Sequence, residues 1–273
     1  MSGCTVQPVD TNQVQVVATF YPLAFLAEQV GGDLVQVTTV VPNGVEPHDF
    51  TPTPQDIVKV TNADVFIYNG SGFDTWAENI PAEDYIKARQ IKASSAGTLD
   101  DPHVWLDPVL AQGIVADIRE AYSQLDPVHS ISYNDNAEQV VAQLQQLDSD
   151  YKTGLANCDI RQAIVSHDAF NYLADRYAIE LLPIAGLNPN DSPSAQTIVA
   201  LSEVARTYGI RYIFFEELTS PKLSETLASE VGATTLVLSP IEGLTEEEQA
   251  AGDDYLSIMQ RNLDNLALAM RCQ

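Results

Sequence analysis

Hydrophobic residues are spaced along this chain in two ways that alternate with each other. Short apolar or alternating runs predict strands, and longer stretches with apolar residues three or four positions apart predict helices between them. In the first part of the chain this spacing predicts strands at 13–20, 34–41, 65–68 and 89–93, and helices at 21–30, 53–62 and around Trp76. Strands that alternate with helices are typical of a parallel, doubly wound sheet of the α/β class.

Two consecutive helical patterns occupy the middle of the chain, at 109–125 and 131–156. At about 1.5 Å per residue the second helix would be nearly 40 Å long, which is enough to cross a whole domain. We expect this helix to act as a rigid backbone that restricts movement between the parts of the protein on either side of it.

The alternation of strands and helices resumes after Cys158. We expect strands at 162–165, 181–184, 212–215 and 234–238, and helices at 169–177, 195–208, 222–231 and 255–270. The acidic stretch 246–254 is interpreted as a loop.

The order of these elements predicts two βα lobes, each with a doubly wound parallel sheet, joined by one long helix. We assign an N-terminal tether to 1–12, the first lobe to 13–125, the linking helix to 126–157 and the second lobe to 158–273.

The charge of the chain narrows the classes of partner. There are 13 lysines and arginines against 38 aspartates and glutamates, which gives a formal net charge of −25. Such a surface repels the phosphate backbone of nucleic acids, so we expect no nucleic-acid partner. No apolar run reaches the roughly 18 residues that a membrane-spanning helix needs.

The three cysteines suggest an exported protein. Cys4 follows small residues and precedes a polar segment, as in a bacterial lipoprotein whose signal has been trimmed, although an incidental cysteine would look the same. If Cys4 is lipidated in the native protein, it tethers the chain to a membrane outside the cytoplasm. Cys158 and Cys272 would then be expected to form a disulfide.

Three of the four histidines share a setting that His129 lacks. His48 and His103 each follow a proline, His167 follows the strand at 162–165, and each is followed by an aromatic residue two or three positions later. Proline limits the conformations of the neighbouring backbone, so a histidine beside it has a restricted direction in which to point.

In an open α/β sheet, ligands bind beyond the carboxyl ends of the strands. His167 directly follows a predicted strand, and His48 and Glu242 lie a few residues beyond theirs, while His103 lies on a loop that enters a helix. Two come from each predicted lobe, so together they could line a cleft between the lobes. Three neutral imidazoles and one carboxylate suit a closed tetrahedral Zn²⁺ site. A loop histidine taken alone is more often a surface residue than a ligand, and it is the shared setting that favours a metal site here.

The sequence resembles the metal-specific solute-binding proteins of bacterial ABC importers, in the zinc and manganese group. The resemblance covers nearly the full chain and rests on these segments: Pro47-His48-Asp49-Phe50, Asp101-Pro102-His103-Val104-Trp105-Leu106-Asp107-Pro108, Ser166-His167-Asp168-Ala169-Phe170, Pro193-Ser194 and Asn262-Leu263. It implies two βα lobes bridged by a long helix, with a metal ion held between the lobes and delivered to a membrane permease. It also implies a periplasmic or cell-surface protein that performs no chemistry on the metal, and we expect a monomer.

Carried over by position, the resemblance gives His48, His103, His167 and Glu242 as the metal ligands. Members specific for manganese have a glutamate where this chain has His167, and imidazole in place of carboxylate favours Zn²⁺. The sequence leaves open whether the fourth ligand is instead a water, Glu216 or Glu217.

Other functions stay open at this stage. A manganese- or iron-specific member of the same family, or an adhesin-like surface lipoprotein, would have a similar sequence. We expect no enzyme, because the chain lacks the His-Glu-x-x-His, Gly-x-Ser-x-Gly and Gly-x-x-x-x-Gly-Lys motifs.

Overall fold

The computed structural model describes residues 13–99 and 101–273. Cys4 and the rest of the predicted tether lie outside the described residues. Within the described ranges, no helix is both long enough and apolar enough to cross a membrane.

The first half of the chain forms a four-stranded parallel sheet with the strand order β2-β1-β3-β4. Its two central strands are largely buried, as is usual for parallel strands with helices on both faces, while its two edge strands are partly exposed. The strands and helices are β1 (Val14–Ala18), α1 (Tyr21–Gly31), β2 (Val35–Thr39), α2 (Pro54–Asn62), β3 (Val65–Tyr68), α3 (Thr75–Glu78), β4 (Arg89–Lys92) and α4 (Pro108–Leu125).

The second half repeats the same topology, with the strand order β6-β5-β7-β8 and all strands parallel. Its elements are β5 (Gln162–Val165), α6 (Asn171–Tyr177), β6 (Glu180–Pro183), α7 (Ala195–Tyr208), β7 (Tyr212–Phe215), α8 (Lys222–Val231), β8 (Thr234–Val237), α9 (Glu246–Ala251) and α10 (Tyr255–Met270). The predicted pair of parallel α/β sheets is therefore confirmed, while the lobe boundaries assigned from the sequence stay a prediction.

Helix α5 (Ser130–Gly154) lies between the two sheets in sequence and packs against both halves. Its 25 residues span about 37 Å at 1.5 Å per residue. Near its start the Asn136 side chain donates a hydrogen bond to the Val30 carbonyl in α1, at 3.1 Å. Near its end the Tyr151 hydroxyl donates to the Met259 carbonyl in α10, at 2.8 Å. One helix thus contacts both halves of the protein.

One large apolar core runs through both halves and α5, and a smaller, separate cluster of buried residues lies in the first half. The large core contains β-strand residues of each sheet, such as Ile67 and Ile213, together with Leu144 of α5. A continuous core of this kind opposes large changes in the angle between the two halves, because such a change would expose packed apolar surface to water.

The interpretation of 246–254 as a loop was wrong, because α9 covers most of this stretch. Thr245 caps the helix: its hydroxyl accepts the Glu248 backbone N–H at 3.1 Å, while the Glu248 carboxylate accepts the Thr245 backbone N–H at 2.9 Å. The acidic residues of the first turn also interact favourably with the positive end of the helix dipole. The density of acidic residues therefore favours the start of a helix here.

The predicted disulfide between Cys158 and Cys272 is present. It joins the segment after α5 to the end of α10, where the Gln273 backbone N–H also donates to the Asn157 carbonyl at 2.9 Å. The covalent link therefore fixes the end of the chain to the start of the second half.

Replacing both Cys158 and Cys272 by serine should lower the free energy of unfolding by roughly 3 kcal/mol, because a disulfide that closes a long loop restricts the unfolded chain. The two residues are separated by 114 positions. Urea unfolding of the metal-free parent and the double variant, without reductant, measures this difference. Equal midpoints and slopes would show that the disulfide does not stabilise the fold.

Candidate metal site

His103 lies on the loop that leads into a short 3₁₀ turn, Val104–Leu106, ahead of α4. Its side chain is fully buried. The Oδ1 atom of Asp101 accepts the backbone N–H of His103 at 2.9 Å and lies 2.7 Å from its ring Nδ1. A carboxylate at Nδ1 places the ring proton there and leaves the lone pair of Nε2 free to bind a metal ion.

His167 is held in the same way in the second half. It comes two residues after β5 and is also fully buried, and its Nδ1 lies 2.5 Å from Oε1 of Glu216, which directly follows β7. Strands β5 and β7 are neighbours at the point where the strand order reverses. This position at the carboxyl ends of the strands is the usual ligand crevice of an open α/β sheet.

His48 lies on the loop after β2. Its backbone N–H donates to Oε1 of Glu46 at 2.9 Å, and its ring packs against the ring of Phe73 with centroids 4.5 Å apart. These two contacts fix the loop and the ring so that Nε2 of His48 lies 3.2 Å from Oε1 of Glu242.

Glu242 is carried by a constrained loop after β8. The preceding residue, Ile241, has a φ of 57°, in the left-handed region that a β-branched residue rarely adopts. The loop is held by Asn262 of α10, whose Oδ1 accepts the Ser239 backbone N–H at 2.9 Å and whose Nδ2 donates to the Ser239 carbonyl at 2.7 Å. The strained backbone at Ile241 directs the Glu242 carboxylate towards the histidines.

Trp105 connects the loop of His103 to the loop of Glu242. Its indole Nε1–H donates to the Pro240 carbonyl at 2.8 Å, and the Tyr255 hydroxyl of α10 donates to the Trp105 carbonyl at 2.5 Å. Trp105 thus contacts two segments of the second half, the loop after β8 and helix α10. The Trp residue of the Pro-His-Val-Trp motif therefore positions ligands from both halves.

The structure brings His48, His103, His167 and Glu242 together, with one potential ligand atom of each within 4.8 Å of the others. Nε2 of His103 lies 3.4 Å from Nε2 of His48 and 3.3 Å from Nε2 of His167, and Oε1 of Glu242 lies 3.2, 3.4 and 3.7 Å from the nitrogens of His48, His103 and His167. A tetrahedral zinc site with bonds of 2.0–2.1 Å has ligand–ligand edges of about 3.3 Å. The four donor atoms therefore already have the spacing of the ligands in a tetrahedral zinc site.

The surroundings of these donors are strongly negative. Oδ2 of Asp101, Oε2 of Glu216 and Oε2 of Glu46 are buried carboxylate oxygens without a hydrogen-bond partner. Together with Glu242 they place four carboxyl groups around three imidazoles. Buried carboxylates with unpaired oxygens are costly unless a cation lies nearby.

The pKa values of His103 and Glu242 shift in the directions that favour their charged forms, because each group lies against groups of the opposite charge. Burial lowers the pKa of His103, but its hydrogen bonds and attraction to Asp101 and Glu242 outweigh the burial and raise that pKa to about 9. Burial raises the pKa of Glu242, but contacts with His103 and His48 outweigh it and bring the pKa below its ordinary value.

The rivals considered for the fourth ligand lie elsewhere. Glu216 occupies the Nδ1 side of His167, away from the nitrogen that faces the other donors, and Glu217 lies 3.9 Å from the guanidinium of Arg261. The sequence did not identify Asp101 and Glu216 as the groups that orient the imidazoles. The only sequence features that indicate these roles are the Asp-Pro-His order at 101–103 and the position of Glu216 at the end of a predicted strand.

Comparison with known proteins identifies the family. The profile described as "Zinc-uptake complex component A periplasmic" matches residues 16–269. The chain is 37% identical to the high-affinity zinc uptake system protein ZnuA of Bacillus subtilis, over 93% of this chain and 87% of that protein. It is 35% identical to the zinc-binding lipoprotein AdcA of Streptococcus pneumoniae, over 97% of this chain, and spans 57% of the length of that lipoprotein.

A solved structure gives the same result. The Zn(II)-bound ZnuA-like domain of Streptococcus pneumoniae AdcA superimposes with a TM-score of 0.84 and 36% sequence identity, over 94% of this chain and 99% of that domain. The chain belongs to the family of periplasmic zinc-uptake components, the zinc-type solute-binding proteins of ABC importers.

Proposed function

We propose that this protein is the extracytoplasmic zinc-binding component of an ABC importer. It captures Zn²⁺ with His48, His103, His167 and Glu242, between the two halves of the chain, and delivers the ion to a membrane permease. The observation that carries this proposal is the spacing of the four donor atoms, which matches the edges of a tetrahedral zinc site. Family membership and the zinc-binding names of the relatives support it.

The donor set suits binding without catalysis. A catalytic zinc keeps one coordination position open for water or substrate, whereas four protein donors close a tetrahedral ion. The side chains of His103 and His167 are fully buried and that of Glu242 is 1% exposed, so a bound ion would be shielded from solvent. The protein therefore holds and transfers the ion without performing chemistry on it.

Zinc is favoured over manganese because of the ligand types. Three imidazole nitrogens and one carboxylate oxygen suit Zn²⁺, whereas Mn²⁺ prefers a larger share of oxygen ligands and a higher coordination number. His167 is the residue that decides between the two metals, because it supplies the third imidazole nitrogen, from the loop after β5 in the second half.

The proposed cellular location follows from the family and from Cys4. A periplasmic or cell-surface position places the protein where it meets zinc before the permease does. We propose that a lipid on Cys4 anchors the native chain to the membrane, as the name of the AdcA relative suggests for that protein, and that the chain acts as a monomer.

The protein should hold about one zinc ion per chain after incubation with Zn²⁺ and removal of the excess. His103→Ala and His167→Ala should each lose this ion, because each removes one of four donors. His129→Ala is the matched control, since His129 is half exposed and bonded to Asp126 outside the cluster. Elemental analysis of all four proteins measures the result, and zinc retained by both cluster variants would refute the proposed site.

Replacing His167 by glutamate should shift the metal preference from Zn²⁺ towards Mn²⁺. The substitution exchanges a nitrogen ligand for an oxygen ligand at a fully buried position. Competition between the two ions, followed by elemental analysis of the bound metal, gives the preference of parent and variant. An unchanged ratio would show that His167 is not a ligand.

Zinc affinity should fall as the pH decreases from 8.5 to 6.5. The His103 imidazole, with a pKa raised to about 9 in the ion-free protein, must lose its proton before it can bind zinc. This group alone therefore lowers the affinity about tenfold per pH unit below its pKa, and the full affinity is reached only above it. Titration against a chromophoric chelator at three pH values tests this, and a constant affinity would contradict it.

A further inference from the structure

The loop Asn69–Asp74, which follows β3, lies beside the proposed zinc site. Its backbone is left-handed at three consecutive residues, with φ values of 79°, 53° and 83° at Gly70, Ser71 and Gly72, a region that residues other than glycine rarely adopt. The Asp74 carboxylate holds this turn, because it accepts the Asn69 backbone N–H at 2.7 Å and the Gly70 backbone N–H at 2.6 Å. The loop therefore has a fixed shape.

The side chain of Asn69 holds the backbone turn that carries His103. His103 is the central residue of this turn, in which the Val104 backbone N–H donates to the Pro102 carbonyl at 2.8 Å. Its φ of −82° and ψ of 46° are close to those of an inverse γ-turn. The Asn69 side chain is fully buried and donates its Nδ2–H to the same Pro102 carbonyl, also at 2.8 Å. Asn69 thus fixes the backbone from which the His103 ring projects.

The ring of Phe73 contacts both histidines of the first half. Its centroid lies 4.5 Å from that of His48 and 5.9 Å from that of His103, within the range of packed aromatic rings. It also packs against the Trp105 ring, with centroids 5.3 Å apart, and only 4% of Phe73 is exposed. Because protein interiors are close-packed, neither imidazole can turn far on this side without displacing the Phe73 ring.

Asn69 has the position in the first half that Glu216 has in the second. The strand orders are β2-β1-β3-β4 and β6-β5-β7-β8, so β3 corresponds to β7. Asn69 directly follows β3, and Glu216 directly follows β7. Glu216 contacts Nδ1 of the His167 ring. The Nδ1 atom of His103 is already paired with Asp101, and Asn69 acts instead on the backbone before that histidine. Each half therefore uses the residue after the corresponding strand to hold a histidine.

We propose that Asn69 and Phe73 are positioning residues of the zinc site. Asn69 sets the direction of the His103 ring, and Phe73 sets the angle between that ring and the His48 ring. This inference rests on the proposed zinc-binding function. Neither residue touches the ion, but altering the groups behind metal ligands commonly changes metal affinity by about 10- to 100-fold. Imidazoles that turn more freely also accept geometries other than tetrahedral, so both residues favour Zn²⁺ over Mn²⁺.

The test uses Asn69→Ala and Phe73→Leu. Alanine removes the amide that donates to the Pro102 carbonyl, and leucine keeps a bulky apolar side chain but removes the ring. Asn136→Ala is the matched control, because Asn136 also donates its Nδ2–H to a backbone carbonyl, that of Val30 in α1, outside the candidate site. Chelator competition measures the affinities for Zn²⁺ and Mn²⁺, and urea unfolding of the metal-free proteins measures stability. The d–d absorption of bound Co²⁺, which is stronger in a tetrahedral than in an octahedral site, reports the coordination geometry.

We expect Asn69→Ala and Phe73→Leu each to bind Zn²⁺ about tenfold more weakly than the parent, with a smaller loss for Mn²⁺ and a weaker Co²⁺ absorption. Asn136→Ala should lower the unfolding midpoint and leave the three metal measurements as in the parent. If Asn69→Ala does not fold, Phe73→Leu decides the outcome.

A purely structural role of the loop predicts a different result. Variants that lose stability but keep the parent's zinc affinity, metal ratio and Co²⁺ spectrum would show that the inference is wrong, while the proposed function would stand. If the parent itself bound no zinc, the proposed function would fail, and this inference with it.

Discussion

The site depends on four donor atoms that the fold holds close together. Three imidazole nitrogens and a carboxylate oxygen converge at separations of 3.2–3.7 Å, and contacts between the Glu242 carboxylate and the imidazoles stabilise part of this arrangement. They are kept together by the acceptors behind them, Asp101 and Glu216, and by packing in the core. Because the protein maintains these positions itself, a tetrahedral cation gains four ligands with little reorganisation, and preorganisation of this kind is a main source of affinity.

The fold provides the stiffness that this arrangement needs. The ligands come from four separate segments, two in each half, so any independent movement of the halves would separate them. Helix α5 and the shared core oppose such movement, and Trp105 joins the His103 loop directly to the Glu242 loop. The strained backbone at Ile241 is tolerated because Asn262 clamps the same loop from α10. The helices and strands form a rigid framework, and short loops with unusual geometry orient each ligand side chain.

The sequence was sufficient to predict the framework of helices and strands. Hydrophobic periodicity gave β3, β5, β7 and α10 the same bounds as the structure. The sequence was less informative wherever a contact joins distant residues. The role of Glu216 depends on the adjacency of β5 and β7, which follows from strand order and is not visible in either segment alone. The stretch 246–254 is mostly helical and not the expected loop, because the reciprocal capping of Thr245 and Glu248 starts a helix that the acidic composition alone does not indicate.

The burial of the cluster also affects how the ion leaves. With His103, His167 and Glu242 almost inaccessible to solvent, no chelator or receptor can reach a bound ion while the protein keeps this conformation. The residence time of the ion is then set by how often the protein opens, and the strength of the individual zinc–ligand bonds affects it less. Transfer of the ion to any acceptor is then coupled to this opening, and a molecule that binds the open form preferentially would increase how often the ion is released.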